Sequence, residues 1–180
     1  MILISIGSNL PGPFGRTPLD AARSAVIQLN GWPGVNLRGL SRWYKSEPVP
    51  PSGQPLYINA VAHLGVAAGI SEPEAAELLV RLQAIEARAG RIRGERNAAR
   101  TLDLDIIAMG VHGQTKRASP DPVLPHPRAH LRAFVLMPLL DVAPEWMHPV
   151  FRRSARELLA ALPPQGIAPI GPAPTQPPLR

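Results

Sequence analysis

Residues 100–107 read RTLDLDII. The alternation predicts a buried β-strand, with Leu102, Leu104 and Ile106 on one face and Asp103, Asp105 and Ile107 on the other. Carboxylates at i and i+2 on a strand stand roughly 6–7 Å apart at the backbone. They repel each other there, and burial makes each harder to ionise. Such a face calls for a positive partner. A pair of hard cations fits the spacing, and magnesium prefers a ligand set of one or two carboxylates completed by water and phosphate oxygens. Zinc more often takes histidine or cysteine.

Working outward, the segment just upstream, RIRGERNAAR (91–100), holds Arg91, Arg93, Arg96 and Arg100 with no apolar periodicity and reads as a basic loop. Before it, Ala75, Leu78, Leu79, Leu82 and Ile85 form a helical stripe, with Ser71 and Glu74 as a capping box and Gly90 as the stop. Residues 35–46 and 56–67 are predicted strands joined by the loop EPVPPSGQP. Earlier still, Thr17-Pro18 opens a helix carrying Leu19, Ala22, Val26 and Leu29 and ending at Gly31 and Gly34. Residues 2–6 form the first strand, closed by Gly7-Ser8-Asn9. Downstream, a helix is expected from near Pro127 to Met137, before Pro138, and a capped one from Ser154 and Glu157 to Leu162. The order β-α-β-β-α-β with additions predicts an α+β fold: a ferredoxin-like sandwich, its antiparallel sheet carrying helices on its faces and added C-terminal elements. The domain is placed at residues 1–162. The last 18 residues hold seven prolines and are expected to be a disordered, dispensable tail.

Composition narrows the partners. A length of 180 residues fits one domain with a real core. Cysteine is absent, which excludes a disulfide scaffold and a cysteine-ligated zinc site. The opening MILISI lacks the marks of a secretory signal, and no apolar run reaches a membrane span, so a cytoplasmic protein is expected. The net charge is +6, and all but two of the 19 basic residues are arginines. Arginine forks match phosphate oxygens bidentately. No GxxxxGK[ST] loop occurs, so a bound triphosphate would have to be held by arginines and metal ions. In LPHPRAHLRAF, two prolines present His126 rigidly, and Arg132 follows within reach of the same cleft. Tyr57 and Asn59 share a strand face, a surface suited to a flat heterocycle, with Phe134 a further ring in a chain poor in aromatics.

The segments ISIGSNL, QPLYINAV, QAIEARAGRIR, RTLDLDII and LPHPRAHLRAFVLMPL resemble, in order and spacing, the 6-hydroxymethyl-7,8-dihydropterin pyrophosphokinases of folate biosynthesis. The resemblance covers roughly residues 2–162. It implies a ferredoxin-like fold, usually monomeric, that transfers pyrophosphate from ATP to the pterin hydroxymethyl group and releases AMP. By that resemblance Asp103 and Asp105 hold two magnesium ions, and Arg91 and Arg100 assist transfer. Gln83, Glu86, Arg93, Ile106, His126 and Arg132 correspond to ATP contacts. Tyr57 and Phe134 correspond to rings sandwiching the pterin, Asn59 to a bond along its edge, and Ser46 and Val49 to the loop completing the pocket. Some members carry a tryptophan in the basic loop where RNAAR stands here, so no role is given to Asn97. The loops at 47–55 and 91–99 are expected to act as lids.

Two other classes share part of this pattern. An RNA-binding module would fit the basic charge, but it needs aromatics across two central strands, where this chain puts acids. A two-metal phosphodiesterase or cyclase would use the paired aspartates but needs further His or Asp ligands and leaves Tyr57 and Phe134 idle. No nucleic acid or membrane partner is expected.

Overall fold

The computed structural model describes residues 1–69, 73–92, 98–117 and 121–171. Strand β1 (Ile2–Ser8) is buried on both faces, Ile2, Ile4 and Ile6 to one side and Leu3 to the other. Helix α1 (Pro18–Asn30) begins as its sequence predicts. The Thr17 hydroxyl accepts the Asp20 N–H at 3.2 Å, and the Asp20 carboxylate accepts the Thr17 N–H at 3.2 Å.

The expected strand at 35–46 is two strands, β2 (Val35–Leu40) and β3 (Trp43–Ser46). Ser41 breaks it: its hydroxyl accepts the Val61 N–H at 2.9 Å and donates to the Arg42 carbonyl at 2.7 Å, while the Arg42 N–H donates to the Asp141 carboxylate at 3.1 Å. Both pair antiparallel with one edge of the long β4 (Tyr57–Val66). Helix α2 (Ala75–Arg88) starts three residues later than the expected capping box would place it; Glu74 is its N-cap and makes no side-chain bond, and Ser71 lies outside the described residues. Gly90 follows the helix with φ +80, and a Cβ there would strike the Pro13 ring at 2.8 Å.

Strand β5 (Asp103–Met109) has the predicted alternation: Leu102, Leu104 and Ile106 enter the core under α1 and α2, and Ile107 the opposite core. Helix α3 (Ala133–Val142) starts later than expected and runs through Pro138. Proline at a helix interior costs about 3 kcal/mol. Burial of Val135, Leu136, Pro138 and Leu139 against the sheet outweighs it. Helix α4 (Ala155–Ala160) carries the expected Ser154–Glu157 capping box.

Neighbouring strands all run antiparallel, in the order β5-β1-β4-β3-β6, with β2 beside β3 on β4. Helices α1 and α2 cover one face and α3 and α4 the other, so the sheet is the middle of three layers. The sixth strand corrects an expectation. Part of the region read as a disordered tail from residue 163 is β6 (Ile167–Ile170), antiparallel to β3 with Ser46 opposite Ile167. Proline is tolerated on an edge strand because one N–H side faces solvent, so Pro169 does not stop the pairing. Residues 172–180 lie outside the described residues.

Candidate active site

The face under α3 and α4 changes character along its length. Towards one end Leu3, Val61 and Ile107 meet the helices. Towards the other the same rows continue as Ser5 and Gly7 on β1, Asp105 and Asp103 on β5, and Asn59 and Tyr57 on β4. The helices stop short of this polar end, and a cleft of about 400 Å³ opens over it. Gly7 keeps the floor low. A Cβ there would rise among Asn59 Oδ1, Asp103 Cβ and Tyr57 Cδ1, at 3.7, 3.8 and 3.9 Å.

Asp103 and Asp105 differ in surroundings. Asp103 meets Arg91 at 2.7 Å through Oδ1 and Arg100 at 2.6 Å through Oδ2. The nearest basic nitrogens to Asp105 among the described residues are His126 Nε2 at 3.7 Å and Arg132 Nη1 at 3.8 Å, outside hydrogen-bond range. Burial, and then repulsion from Asp103, push the Asp105 carboxyl upward in pKa. Burial works against the charge on Arg100, but Asp103 more than offsets it and raises that guanidinium. His126 is held below its ordinary value by burial, with Arg132 and Arg128 adding to the effect. Its Nδ1 accepts the Arg128 N–H at 3.1 Å, which leaves Nε2 to face Asp105.

The rest of the lining is aromatic and carboxamide. Asn59, 2% exposed, donates from Nδ2 to Ser46 Oγ at 2.9 Å, so its Oδ1 is turned toward Gly7 on the cleft floor. Tyr57 donates to Gln54 Oε1 at 3.3 Å. Phe134 stands at the start of α3 with the Arg132 guanidinium over its ring, 5.4 Å from the centroid.

Ser46, Val49, Tyr57, Asn59, Arg91, Arg100, Asp103, Asp105, His126, Arg132 and Phe134 therefore share one cleft, as the sequence reading grouped them. Three others do not line it. Ile106 is packed in the core, so its side chain points away. Glu86 is 3% exposed; its Oε1 accepts the Leu104 N–H at 2.7 Å and an Arg91 guanidinium N–H. It holds Arg91 against Asp103 from beneath, and burial raises its pKa despite these donors. Gln83, one turn earlier on α2, is half-buried outside the cleft. Arg93 lies outside the described residues. The structure adds Ser5, Gly7, Gln54 and Arg128 to the lining. Behind the lining, Asn9, 2% exposed, accepts the Arg100 N–H through Oδ1 at 2.7 Å while its Nδ2 reaches Gln54 and the Pro55 carbonyl. An asparagine just past the end of a predicted strand was the only sequence signal for it.

Among the described residues no group of three or more His, Cys, Asp or Glu could hold a metal ion. The aspartate pair thus offers hard oxygen donors that a bound phosphate would have to complete, which suits magnesium. Carboxylates beside arginines can stabilise a transferring phosphoryl group, and aromatic rings such as Tyr57 and Phe134 can stack on a flat molecule.

Comparison with known proteins agrees. The family model for 7,8-dihydro-6-hydroxymethylpterin-pyrophosphokinase matches residues 3–144, and the chain belongs to that family. It is 40% identical to the 2-amino-4-hydroxy-6-hydroxymethyldihydropteridine pyrophosphokinase of Pseudomonas aeruginosa, over 92% of this chain and 94% of that one. It is 35% identical to the protein of the same name from Synechocystis, over 94% and 80%. It also matches the folic acid synthesis protein fol1 of Pneumocystis carinii at 36% identity, over 83% of this chain but 18% of that much longer one.

Proposed function

We propose that this chain transfers the pyrophosphoryl group of ATP to the hydroxymethyl group of 6-hydroxymethyl-7,8-dihydropterin in folate biosynthesis. The observation that carries the proposal is the single cleft that sets Asp103, Asp105, Arg91 and Arg100 against Tyr57, Asn59 and Phe134. Family membership decides against an RNA-binding module and against a phosphodiesterase or cyclase. The order β5-β1-β4 with β2 and β3 on the far edge supports assigning the sheet to the ferredoxin-like class.

Tyr57 and Phe134 hold the pterin between them, and the Asn59 carboxamide, oriented by Ser46, bonds to its edge. Val49 and the loop around it close that end. Arg132, His126 and Arg93 take the triphosphate. The pterin hydroxyl oxygen attacks the β-phosphorus as the bond to the α–β bridging oxygen breaks, AMP leaves, and the hydroxyl proton is released. Arg91 and Arg100 stand where charge spreads over the transferring oxygens, and Glu86 fixes Arg91 there. Asp103 and Asp105 would hold two magnesium ions, which when bound would neutralise charge on the phosphates. The enzyme works as a cytoplasmic monomer; the lack of cysteine supports the first term, and no helix among the described residues is long and apolar enough to cross a membrane.

The test is AMP formation from ATP and magnesium, measured with and without the hydroxymethyl-dihydropterin. AMP should appear only with the pterin, in step with its diphosphate ester. ATP breakdown indifferent to the pterin would overturn the assignment.

A further inference from the structure

Gln165 belongs to the stretch whose composition reads as tail, yet its carboxamide makes two bonds into one short segment. Nε2 donates to the Leu131 carbonyl at 3.0 Å, and Oε1 accepts the Ala133 N–H at 2.9 Å. These peptide groups flank Arg132. That residue is the N-cap of α3, extended at φ −126 and ψ 108, and its own side chain makes no capping bond. The first N–H groups of a helix have no partner inside it. Gln165 supplies the acceptor for one of them from across the chain.

What this clamp fixes is functional. The Arg132 guanidinium, 14% exposed, faces Asp105 and lies over the Phe134 ring. The residues after Gln165 tie down the other wall. The Glu47 N–H donates to the Gly166 carbonyl at 2.9 Å, and Ile167 pairs with Ser46, the residue that orients Asn59. One strap of three residues therefore touches both sides of the cleft.

We propose that Gln165 is a positioning residue: it sets the start of α3 so that Arg132 and Phe134 meet the cleft at the spacing fixed by β3 and β6. The role in turnover rests on the proposed pterin pyrophosphokinase function; the clamp on α3 does not. The test compares Gln165→Ala and Gln165→Glu with Ser154→Ala, which breaks the α4 capping box and serves as a destabilised control away from the cleft. Gln165→Ala should raise the KM for the pterin at least tenfold with a smaller change in kcat. Gln165→Glu keeps the acceptor for Ala133 and should recover part of that loss. Ser154→Ala should leave KM unchanged at a similar or lower melting temperature. Hydrogen exchange at the first-turn amides of α3 should quicken at least tenfold in Gln165→Ala alone. Unchanged exchange there, or an equal KM rise in Ser154→Ala, would overturn the proposal. A wild-type protein that makes no AMP would instead remove the function reading, and the exchange measurement would still decide the clamp.

Discussion

Replacing Asp103 by asparagine should destabilise the metal-free protein, whereas replacing Asp105 should not. Both oxygens of Asp103 are engaged, at 2.7 and 2.6 Å from two arginines, and its side chain is 21% exposed. Breaking a buried ion pair costs about 3–5 kcal/mol and an exposed one about 0–1. Asp103 falls between, so Asp103→Asn should cost about 2–4 kcal/mol. At about 2–4 °C per kcal/mol for a domain of this size, melting should fall by roughly 5–15 °C. Asp105 has no hydrogen-bonded cation to lose among the described residues, its nearest lying at 3.7 and 3.8 Å. It does have a like charge roughly 6–7 Å along the strand, a repulsion of about 2–3 kcal/mol at an effective dielectric near 20, partly offset by Arg132. Asp105→Asn should therefore leave the melting temperature unchanged or raise it by a few degrees. Both variants should lose at least about a hundredfold in AMP release, because a neutral amide is a poor ligand for a hard cation. Ligand at a hundredfold excess over Kd stabilises a protein by about 2.7 kcal/mol, and that gain should shrink in Asp105→Asn. Thermal melts with and without magnesium and a non-hydrolysable ATP analogue, beside an AMP assay, read all of this. An Asp105→Asn protein as destabilised as Asp103→Asn, or one that turns over normally, would refute the reasoning.

Other perturbations test neighbouring parts of the argument. Gly7→Ala should fold normally, since its Cβ meets only ordinary contacts at 3.7 Å and beyond, yet lose pterin affinity because that methyl stands on the cleft floor; titration of the pterin checks it. Asp141 accepts from Arg42 N, Nε and Nη2 and from the buried Tyr44 hydroxyl, so Asp141→Ala should cost about 2–5 kcal/mol in denaturant unfolding by orphaning a phenol and a guanidinium. His148 is 3% exposed, and burial, with His130 beside it, depresses its pKa to about 4. A base whose folded pKa is depressed contributes stability that is fully present above its unfolded value and lost as pH falls. The melting temperature should therefore drop between pH about 6.5 and about 4, with a flatter profile in His148→Gln. Ending the chain after Leu162 should lower the melting temperature by several degrees through loss of β6, whereas ending it after Gly171 should not; equal melts would mean that the strand contributes nothing.

The parts of this fold that were legible are those where local chemistry and tertiary packing ask for the same thing. Thr17-Pro18 with Asp20, and Ser154 with Glu157, cap helices wherever the chain takes them. RTLDLDII alternates because the sheet buries one row and opens the other. Where the two demands diverge, the signal fails. Pro138 should end a helix, but α3 is so apolar that burial keeps it going. Ile167-Ala-Pro-Ile has neither alternation nor length, and only an available edge on β3 makes it a strand. Glu86 corresponds by resemblance to an ATP contact, and the structure has it buried and bonded to Arg91 and the Leu104 N–H, a placement that no spacing rule foretells.

The cleft itself follows from a mismatch of lengths. The sheet runs past the point where α3 begins, so one end of a face otherwise packed with Leu3, Val61 and Ile107 has no helix over it. An uncovered apolar face would invite association, and this one is polar instead: Ser5 and Gly7, Asp103 and Asp105, Asn59 and Tyr57. Half of that polarity is already answered within the chain, by Arg91 and Arg100 on Asp103 and by Ser46 on Asn59. Among the described residues, Asp105 and the Asn59 carbonyl oxygen have no hydrogen-bond donor in contact, one at each end of the floor. A ligand that answers both carries positive charge at one end and a hydrogen-bond donor at the other. Nucleotide phosphate with its metal ions and a pterin, bound side by side, meet that requirement together.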